Sequence, residues 1–349
     1  MIDDIRNRIA PNQFGCLKGT STAFCLLDMM HTWLSYPDSP NKHLRLCFLD
    51  FSKAFDRISH NVLIRKLVDV GVRLCLIPWI IRFLSDRRQR VKIGEAFSDW
   101  LPLNADVPQG TKLGPIPFLI MINDLSIPSP ETNLWKFVDD VSISECLTKN
   151  GSASIQSTLD TVSSWASMNL MKLNAKKCKE LRVCFFKAIP QLPPLRIDGQ
   201  VLDTVHSHKV LGLVIQHKLK WNENTCMIVS NASKRLHIIR VLRRGGVRAA
   251  DLLAIYVAPV RSVLEFCCVV WHNALLAYLS SEIERVQMRA LRIIYPRSSY
   301  QEALQRAKIA SVEDRRNALC MRAFDKITKG GPLSKHLTPT SSIAHDYSL

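Results

Sequence analysis

The sequence has no C-x-x-C pair, although 11 of its 349 residues are cysteine. Their spacing is irregular, and the only adjacent pair is Cys267–Cys268. That excludes a disulfide scaffold and the ligand spacing of zinc fingers and knuckles, and it predicts buried, reduced thiols. Long apolar runs are missing too. The best candidate, Leu252 to Leu279, is cut by Arg261, Glu265 and His272, short of the ~18 unbroken apolar residues of a membrane span. The opening residues, MIDDIRNRIAP, lack the apolar core of a secretory signal. There is no internal repeat and no low-complexity tract. Acid is scarce relative to base: 30 Asp and Glu stand against 47 Lys and Arg, a net charge of +17. Together these features predict an intracellular protein of the cytoplasm or nucleus, with no membrane association, whose partner is a polyanion such as nucleic acid.

The rest is ordinary globular material. At 47% hydrophobic and 22% charged, the chain is not collagen, bulk disorder or coiled coil. Its length suggests two domains at roughly 150 residues each. His43 to Asp50 alternates Leu44, Leu46 and Phe48 and ends in an acid, a strand pattern. Ser59 is placed to cap a helix carrying Leu63, Leu67 and Val70, which Gly71 closes, and a second helix covers Leu74 to Ser85. Gln89–Gly94 and Asp99–Ala105 are expected to pair. Leu134–Phe137 and Val141–Ser144 flank Asp139–Asp140 as a tight hairpin, and Ser152–Asn169 has helical spacing. Asp198–Gly199 is a strong hairpin signal. Short loops are expected at Pro37–Pro40 and Ser126–Asn133, and a larger break at Pro190–Pro194. The second half is mostly helical and basic. Lys234, Arg235, Arg240, Arg243, Arg244 and Arg248 occur without an acid among them, and Arg285, Arg289 and Arg292 share one helix face. Phosphate contact and a solvated surface both fit such stretches.

Chemistry concentrates in aspartates at predicted strand ends: Asp50 in FLDFSKAFD, and Asp139 and Asp140 in KFVDDVS. Carboxylates brought together at adjacent strand ends repel one another unless a divalent cation relieves the charge. Magnesium suits one or two carboxylates plus substrate phosphates, the arrangement of two-metal phosphoryl transfer. By itself, a lone Asp-Asp pair is more often an exposed turn.

The order of words adds to this. FLDFSKAFD, VPQGTKLGP, FVDD, MKLNAKKCKELRV and KVLGLVI, from about Gln13 to Trp221, resemble the palm of reverse transcriptases of the non-LTR retrotransposon, jockey-like type. The later VRSVLEFCCVVWHNAL and IERVQMRALRIIYP are similar to the tail that follows the polymerase in those elements. The resemblance implies an α+β right-hand polymerase: an antiparallel palm sheet backed by helices, with partial fingers and a helical thumb and tail. On that basis residues 1–42 are partial fingers, 43–221 the palm with inserted fingers elements, and 222–349 the basic thumb and tail. It implies RNA-directed DNA polymerase activity, adding deoxynucleotides to a primer 3′-hydroxyl with two Mg²⁺ ions, or Mn²⁺ in their place. The partners would be an RNA template, a DNA primer or nicked target DNA, and dNTPs. Asp50 and Asp139 would be metal ligands, with Asp140 beside them. Phe55 would lie under the sugar and exclude a 2′-hydroxyl. Gln109 and Gly110 would form the turn beneath nucleotide and template, with Gly114–Pro115 opening a helix that tolerates Pro117 in its first turn. Lys177 would be a candidate proton donor to pyrophosphate. Leu211 and Gly212 would grip the primer end, with Val210 in place of a commoner aromatic. Lys234, Arg235, Arg240, Arg243, Arg244, Arg285, Arg289 and Arg292 would contact nucleic acid.

The chain departs from the family word at QFGCLKGTST, Gln13–Thr22. Leu17 and Thr20 stand where arginines are usual, and Lys18 remains to contact the nucleotide. An upstream fingers segment, an endonuclease and an RNase H segment are not recognisable, so low turnover is expected. Two alternatives stay open: a decayed, non-catalytic fragment that only binds nucleic acid, and a host or intron-type reverse transcriptase.

Overall fold

The computed structural model describes residues 5–35, 42–108, 110–111, 113–127, 129–148, 154–185, 192–331 and 333–337. The expected loop at Pro37–Pro40, Pro190 and Gln191 of the expected break, and Gln109 lie outside these residues. The chain divides into two compact units, residues 1–25 with 32–206, and residues 26–31 with 207–349.

Up to residue 206 the elements are α1 (Thr22–Ser35), β1 (Lys42–Leu49), α2 (His60–Asp69), α3 (Ile77–Leu84), β2 (Arg88–Gln89), β3 (Lys92–Ile93), β4 (Ala96–Phe97), β5 (Leu101–Pro102), α4 (Pro115–Asn123), β6 (Thr132–Phe137), β7 (Asp140–Thr148), α5 (Ile155–Met168), β8 (Lys179–Val183), β9 (Arg196–Ile197), β10 (Gln200–Val201) and β11 (Asp203–Val205). A five-stranded sheet in the order β11-β8-β1-β7-β6 forms the centre. Its pairs are antiparallel except β11 with β8. Alternation in β1 predicts one buried face, but both are covered. His43, Arg45 and Cys47 are as buried as Leu44, Leu46 and Phe48. On one face Cys47, Leu49 and Ile143 join a core with Leu63 and Leu67 of α2, Phe118 and Ile120 of α4, and Leu159 and Val162 of α5. Elsewhere Trp33 of α1 meets Phe48 and Trp135 edge-on, at 6.4 and 6.1 Å. Each such side chain contributes roughly 1.5–3 kcal/mol when fully buried.

Ser59 stands at the N-cap of α2, but its side chain makes no capping bond. Its backbone is engaged in a bridge to Ala105. Gly71 closes the helix in a left-handed conformation, φ +80°, which a side chain would strain. Of the expected pairing of 89–94 with 99–105, the ladder of β2 with β5 forms; β3 pairs instead with β4, residues 96–97, closer to the turn. Pro115 and Pro117 both fall in the first turn of α4, where a missing N–H leaves no bond unmade.

The elements after residue 206 are β12 (Ser207–Val210), β13 (Leu213–Gln216), α6 (Asn222–Arg244), α7 (Ala249–Ile255), a π-helical turn (Tyr256–Arg261), α8 (Ser262–Glu265), α9 (Cys268–Trp271), α10 (Ala277–Ile294), α11 (Tyr300–Ala307) and α12 (Val312–Thr328). Among the described residues, 249–274 is the helical stretch long and apolar enough to cross a membrane. Leu252, Tyr256, Val260 and Leu264, at spacings of four, form a buried stripe along it. Arg261 and Glu265 pair within it at 2.6 Å, and Cys267 breaks it at φ +49°.

Candidate active site

β1 ends at Leu49, opposite Val141 of β7. Continuing that register by one residue sets Asp50 across from Asp140. Phe137 and Asp140 close the β6–β7 hairpin, so its loop is Val138–Asp139 alone. Val138 has φ +60°. A two-residue loop with positive φ at its first position is a glycine turn, and a β-branched residue there is strained. The three aspartates therefore gather at one end of two adjacent central strands.

Their charges interact. Burial raises the Asp139 carboxyl, and the Asp50 charge adds to that. Asp140 is pushed up to about 6 by burial, then by Asp139 and Asp50. Asp50 is positioned by its backbone, which donates to Cys178 Sγ at 3.3 Å and accepts from the Asn174 N–H at 2.8 Å. Its Oδ2 is shielded from solvent and accepts no hydrogen bond; Lys177 Nζ lies 3.7 Å away. The Leu173–Asn174 segment runs beside the residues after β1, with Leu173 bridged to Phe51. That route brings Lys177 to the aspartate.

Gln13 was not singled out by sequence. It is buried, and its Oε1 accepts from the Val138 N–H at 3.2 Å and the Gly15 N–H at 2.8 Å. It ties the strained turn to the incoming strand segment, where the Phe14 N–H meets the Lys136 carbonyl and the Lys136 N–H meets the Asn12 carbonyl. Gly15 has no room for a side chain: a Cβ there would fall 2.5 Å from Val138. Lys136 was missed as well. It is fully buried, and its Nζ donates to the carbonyls of Ile122, Asn123 and Leu125 at the end of α4. Gln13→Met leaves two N–H groups without their acceptor. It is expected to lower stability by ~1–3 kcal/mol in chemical denaturation.

Other expected site residues are placed as follows. Phe55 is partly buried, its ring 4.7 Å from that of Phe118. Gly110 is exposed at φ +80°, with open space where a Cβ would be. The close approach in this turn falls instead at Gly114, where a Cβ would come within 2.5 Å of the Pro108 carbonyl oxygen. Lys18 is exposed. Beside it the Thr20 hydroxyl is occupied by the carbonyls of Phe14 and Leu17, at 2.6 and 2.8 Å. In the second unit, Leu211 and Gly212 form the two-residue turn between β12 and β13, both at positive φ. A Cβ on Gly212 would meet Phe266 at 2.7 Å. Lys234, Arg235, Arg240, Arg243 and Arg244 are exposed on α6, and Arg285, Arg289 and Arg292 on α10. Arg235 is held by the Pro259 carbonyl, and Arg289 by Ser233 at 2.9 Å. Val229, Arg285, Met288 and Arg289 line an open groove of about 460 Å³.

The aspartates fit a divalent cation by their chemistry: all donors are oxygen, Asp50 Oδ2 lacks a hydrogen bond, and Lys177 offsets only one of three carboxylates. Among the described residues no three metal-ligating side chains are already closed on one point. Magnesium needs only one or two carboxylates when phosphates and waters complete its shell.

Residues 1–215 match the family described as reverse transcriptase (RNA-dependent DNA polymerase). The probable RNA-directed DNA polymerase from transposon BS of Drosophila melanogaster is 26% identical over 306 residues, covering 82% of this chain and 33% of that protein. The RNA-directed DNA polymerase from mobile element jockey of Drosophila funebris is 30% identical over 188 residues, covering 51% and 20%. The chain thus spans about a third and a fifth of these relatives. A solved structure of apo telomerase from Candida tropicalis aligns with a TM-score of 0.48 at 12% identity, covering 99% of this chain and 58% of that one. With the family match covering more than half its length, the chain belongs to the reverse transcriptase (RNA-dependent DNA polymerase) family.

Proposed function

We propose that this chain is the polymerase part of a non-LTR retrotransposon, copying RNA into DNA from a primer 3′-hydroxyl. The observation that carries this reading is the gathering of Asp50, Asp139 and Asp140 at one sheet end, with Asp50 Oδ2 free of hydrogen bonds. Asp50 and Asp139 would hold magnesium, or manganese in its place, with Asp140 adding negative charge beside them. The chemistry such ions supply when bound is activation of the primer oxygen and neutralisation of charge on departing pyrophosphate. Phe55, braced by Phe118, would bar a 2′-hydroxyl and select dNTPs. Lys177, paired with Asp50 in the free protein, would hold the proton for pyrophosphate. The turns at Gly110 and at Leu211–Gly212 would seat the nucleotide and the primer end. In this reading, residues 1–42, 43–221 and 222–349 act as partial fingers, palm and thumb. The exposed cations of α6 and α10 would meet the phosphates of template and primer or nicked target DNA, in cytoplasm or nucleus.

A non-catalytic nucleic-acid binder is the second reading. It is favoured by Leu17 and by Thr20, whose hydroxyl is spent on local carbonyls and carries no charge for a triphosphate. Single-nucleotide extension on primed RNA with magnesium separates the two. Weak extension is expected from this sequence. Leu17→Arg with Thr20→Arg is expected to raise it by ~10²-fold, the worth of one charge-stabilising donor. No extension by either form would leave the binding role as the function.

A further inference from the structure

One part of the first unit is exposed throughout, with no covering element among the described residues of that unit. Every residue from Arg88 to Pro102 is exposed, including Val91, Ile93, Phe97, Trp100 and Leu101. The hairpin of β2 to β5 is held by its own ladders, by Ser98 bonded to Val91 in both directions at 2.9 Å, and by the Leu103 N–H to the Arg87 carbonyl. An isolated two-stranded hairpin is marginal in water, so such an arm is expected to be covered when it works.

Its two faces differ because side chains alternate along a strand. Arg90 and Lys92 both lie against the Phe97 ring, and Arg88 precedes them on β2. Phe97 is paired across from Lys92. The Arg90 guanidinium lies 3.9 Å from the Phe97 ring centre and 4.6 Å from that of Trp100; Lys92 Nζ lies 5.1 Å from Phe97. The face is therefore a row of cations interleaved with two exposed aromatic rings. Val91 and Ile93 are exposed beside it.

We infer that this face binds an unpaired nucleic-acid strand. Phosphates would take the place of water on Arg88, Arg90 and Lys92. Bases would stack on Trp100 and on the Arg90 plane, since every base offers a π-face and a single strand leaves its bases free to unstack. A protein partner explains the exposed aliphatic side chains but not two cations laid against two rings. The inference deepens the proposed function by giving the template strand a contact outside the aspartate site.

The probe is a fluorescently labelled, unprimed single-stranded RNA of 15 nucleotides, titrated with the full chain at several salt concentrations. Nucleotide and metal are omitted, so the result does not depend on polymerisation. Trp100→Ala is expected to weaken binding about 5- to 100-fold. Trp100→Tyr should retain most of it and Trp100→Leu should not. Arg90→Gln with Lys92→Gln should flatten the slope of log affinity against log salt by about 1.4, at ~0.7 per lost contact on a single strand. Equal binding by Trp100→Leu and the parent would overturn stacking. Unchanged affinity and slope in all arm variants would overturn the inference, as would a loss confined to a variant with Lys234, Arg240, Arg243 and Arg244 all changed to Gln. Both outcomes leave the polymerase reading standing. Altered self-association in sedimentation with unchanged RNA binding would make the arm a protein contact instead. If the arm variants lose RNA while primer extension is absent throughout, this inference holds and the polymerase reading fails.

Discussion

Asp139→Asn is expected to abolish single-nucleotide extension and, with divalent cation withheld, to raise the melting temperature. The first effect follows from removing a charge that would hold the metal, a loss of at least ~10² to 10³ in rate. It is best read in the Leu17→Arg, Thr20→Arg background, where the signal is larger. The second follows from repulsion. Asp140 is held at about 6 by burial, Asp139 and Asp50. A carboxyl raised above its unfolded value keeps a proton in the native state that the unfolded chain has released. Stability therefore falls as pH rises from about 4 to about 6, and the penalty is complete at pH 7. Asp140 keeps solvent access at the rim of the site even though its neighbours crowd the carboxyl, so water screens part of this. Relief of roughly 1 kcal/mol corresponds to about 2–4 °C in a unit of this size. Manganese or magnesium should raise the Tm of the parent and have little effect on Asp139→Asn. A variant that melts lower than the parent, or responds equally to metal, would remove the aspartates as the metal site.

The same residues show which parts of the molecule could be read from sequence. Strands β1, β6 and β7 were legible because they are short apolar runs bounded by an acid or a turn. The β6–β7 loop was legible to within one residue: the Asp-Asp pair marks it, but the turn is Val138–Asp139 and Asp140 opens β7, paired with Phe137. Asp198–Gly199 turned where expected, both residues at positive φ. What local pattern could not show is where the polar residues of these strands find partners. Arg45 alternates with leucines and reads as the wet side of a half-buried strand, yet it is 1% exposed and its partner Glu180 is 135 residues away. Lys136 reads as polar punctuation before the aspartates, but it is sealed onto the end of α4. Gln13 lies in a motif noticed for its missing arginines, and its glutamine was passed over. A buried amide at the entry to a motif was the available signal. Ser59 has the right type and position for a cap, but the bridge to Ala105 fixes its backbone, a long-range contact that spacing does not reveal. The aspartates illustrate the same limit: alone they suggested a turn, and the ordered words around them carried the reading.

The largest loss of stability is expected from Glu180→Ala. Glu180 is fully buried and accepts from Arg45 Nε at 2.6 Å, Arg182 Nε at 2.7 Å and Nη2 at 3.2 Å, and Thr204 Oγ1 at 3.1 Å. Arg45 and Arg182 stand directly opposite each other on β1 and β8, so the carboxylate is what lets two like charges share a register. Truncating it leaves Arg45, among the described residues, hydrogen-bonded to the Pro193 carbonyl alone, with the buried Glu145 opposite it on β7 but not bonded to it, and breaking a buried ion pair costs ~3–5 kcal/mol. At 2–4 °C per kcal/mol the Tm should fall by about 10 °C. Arg45→Met with Glu180→Leu removes both charges and should cost far less, because apolar replacement of a buried pair is often close to neutral. The pH dependence has a definite sign. Burial pushes the Glu180 carboxyl up, but hydrogen bonds from Arg182 and Arg45, and their charges, outweigh it and leave it below its ordinary value. Its stabilisation is thus present above about pH 4.3 and lost as pH falls through the native value. Acid unfolding of the parent should show this extra loss, and the double variant should not. If Glu180→Ala melts within a degree or two of the double variant and shares its acid profile, the ion pair is not what holds β1 to β8, and apolar packing across the sheet carries that contact alone.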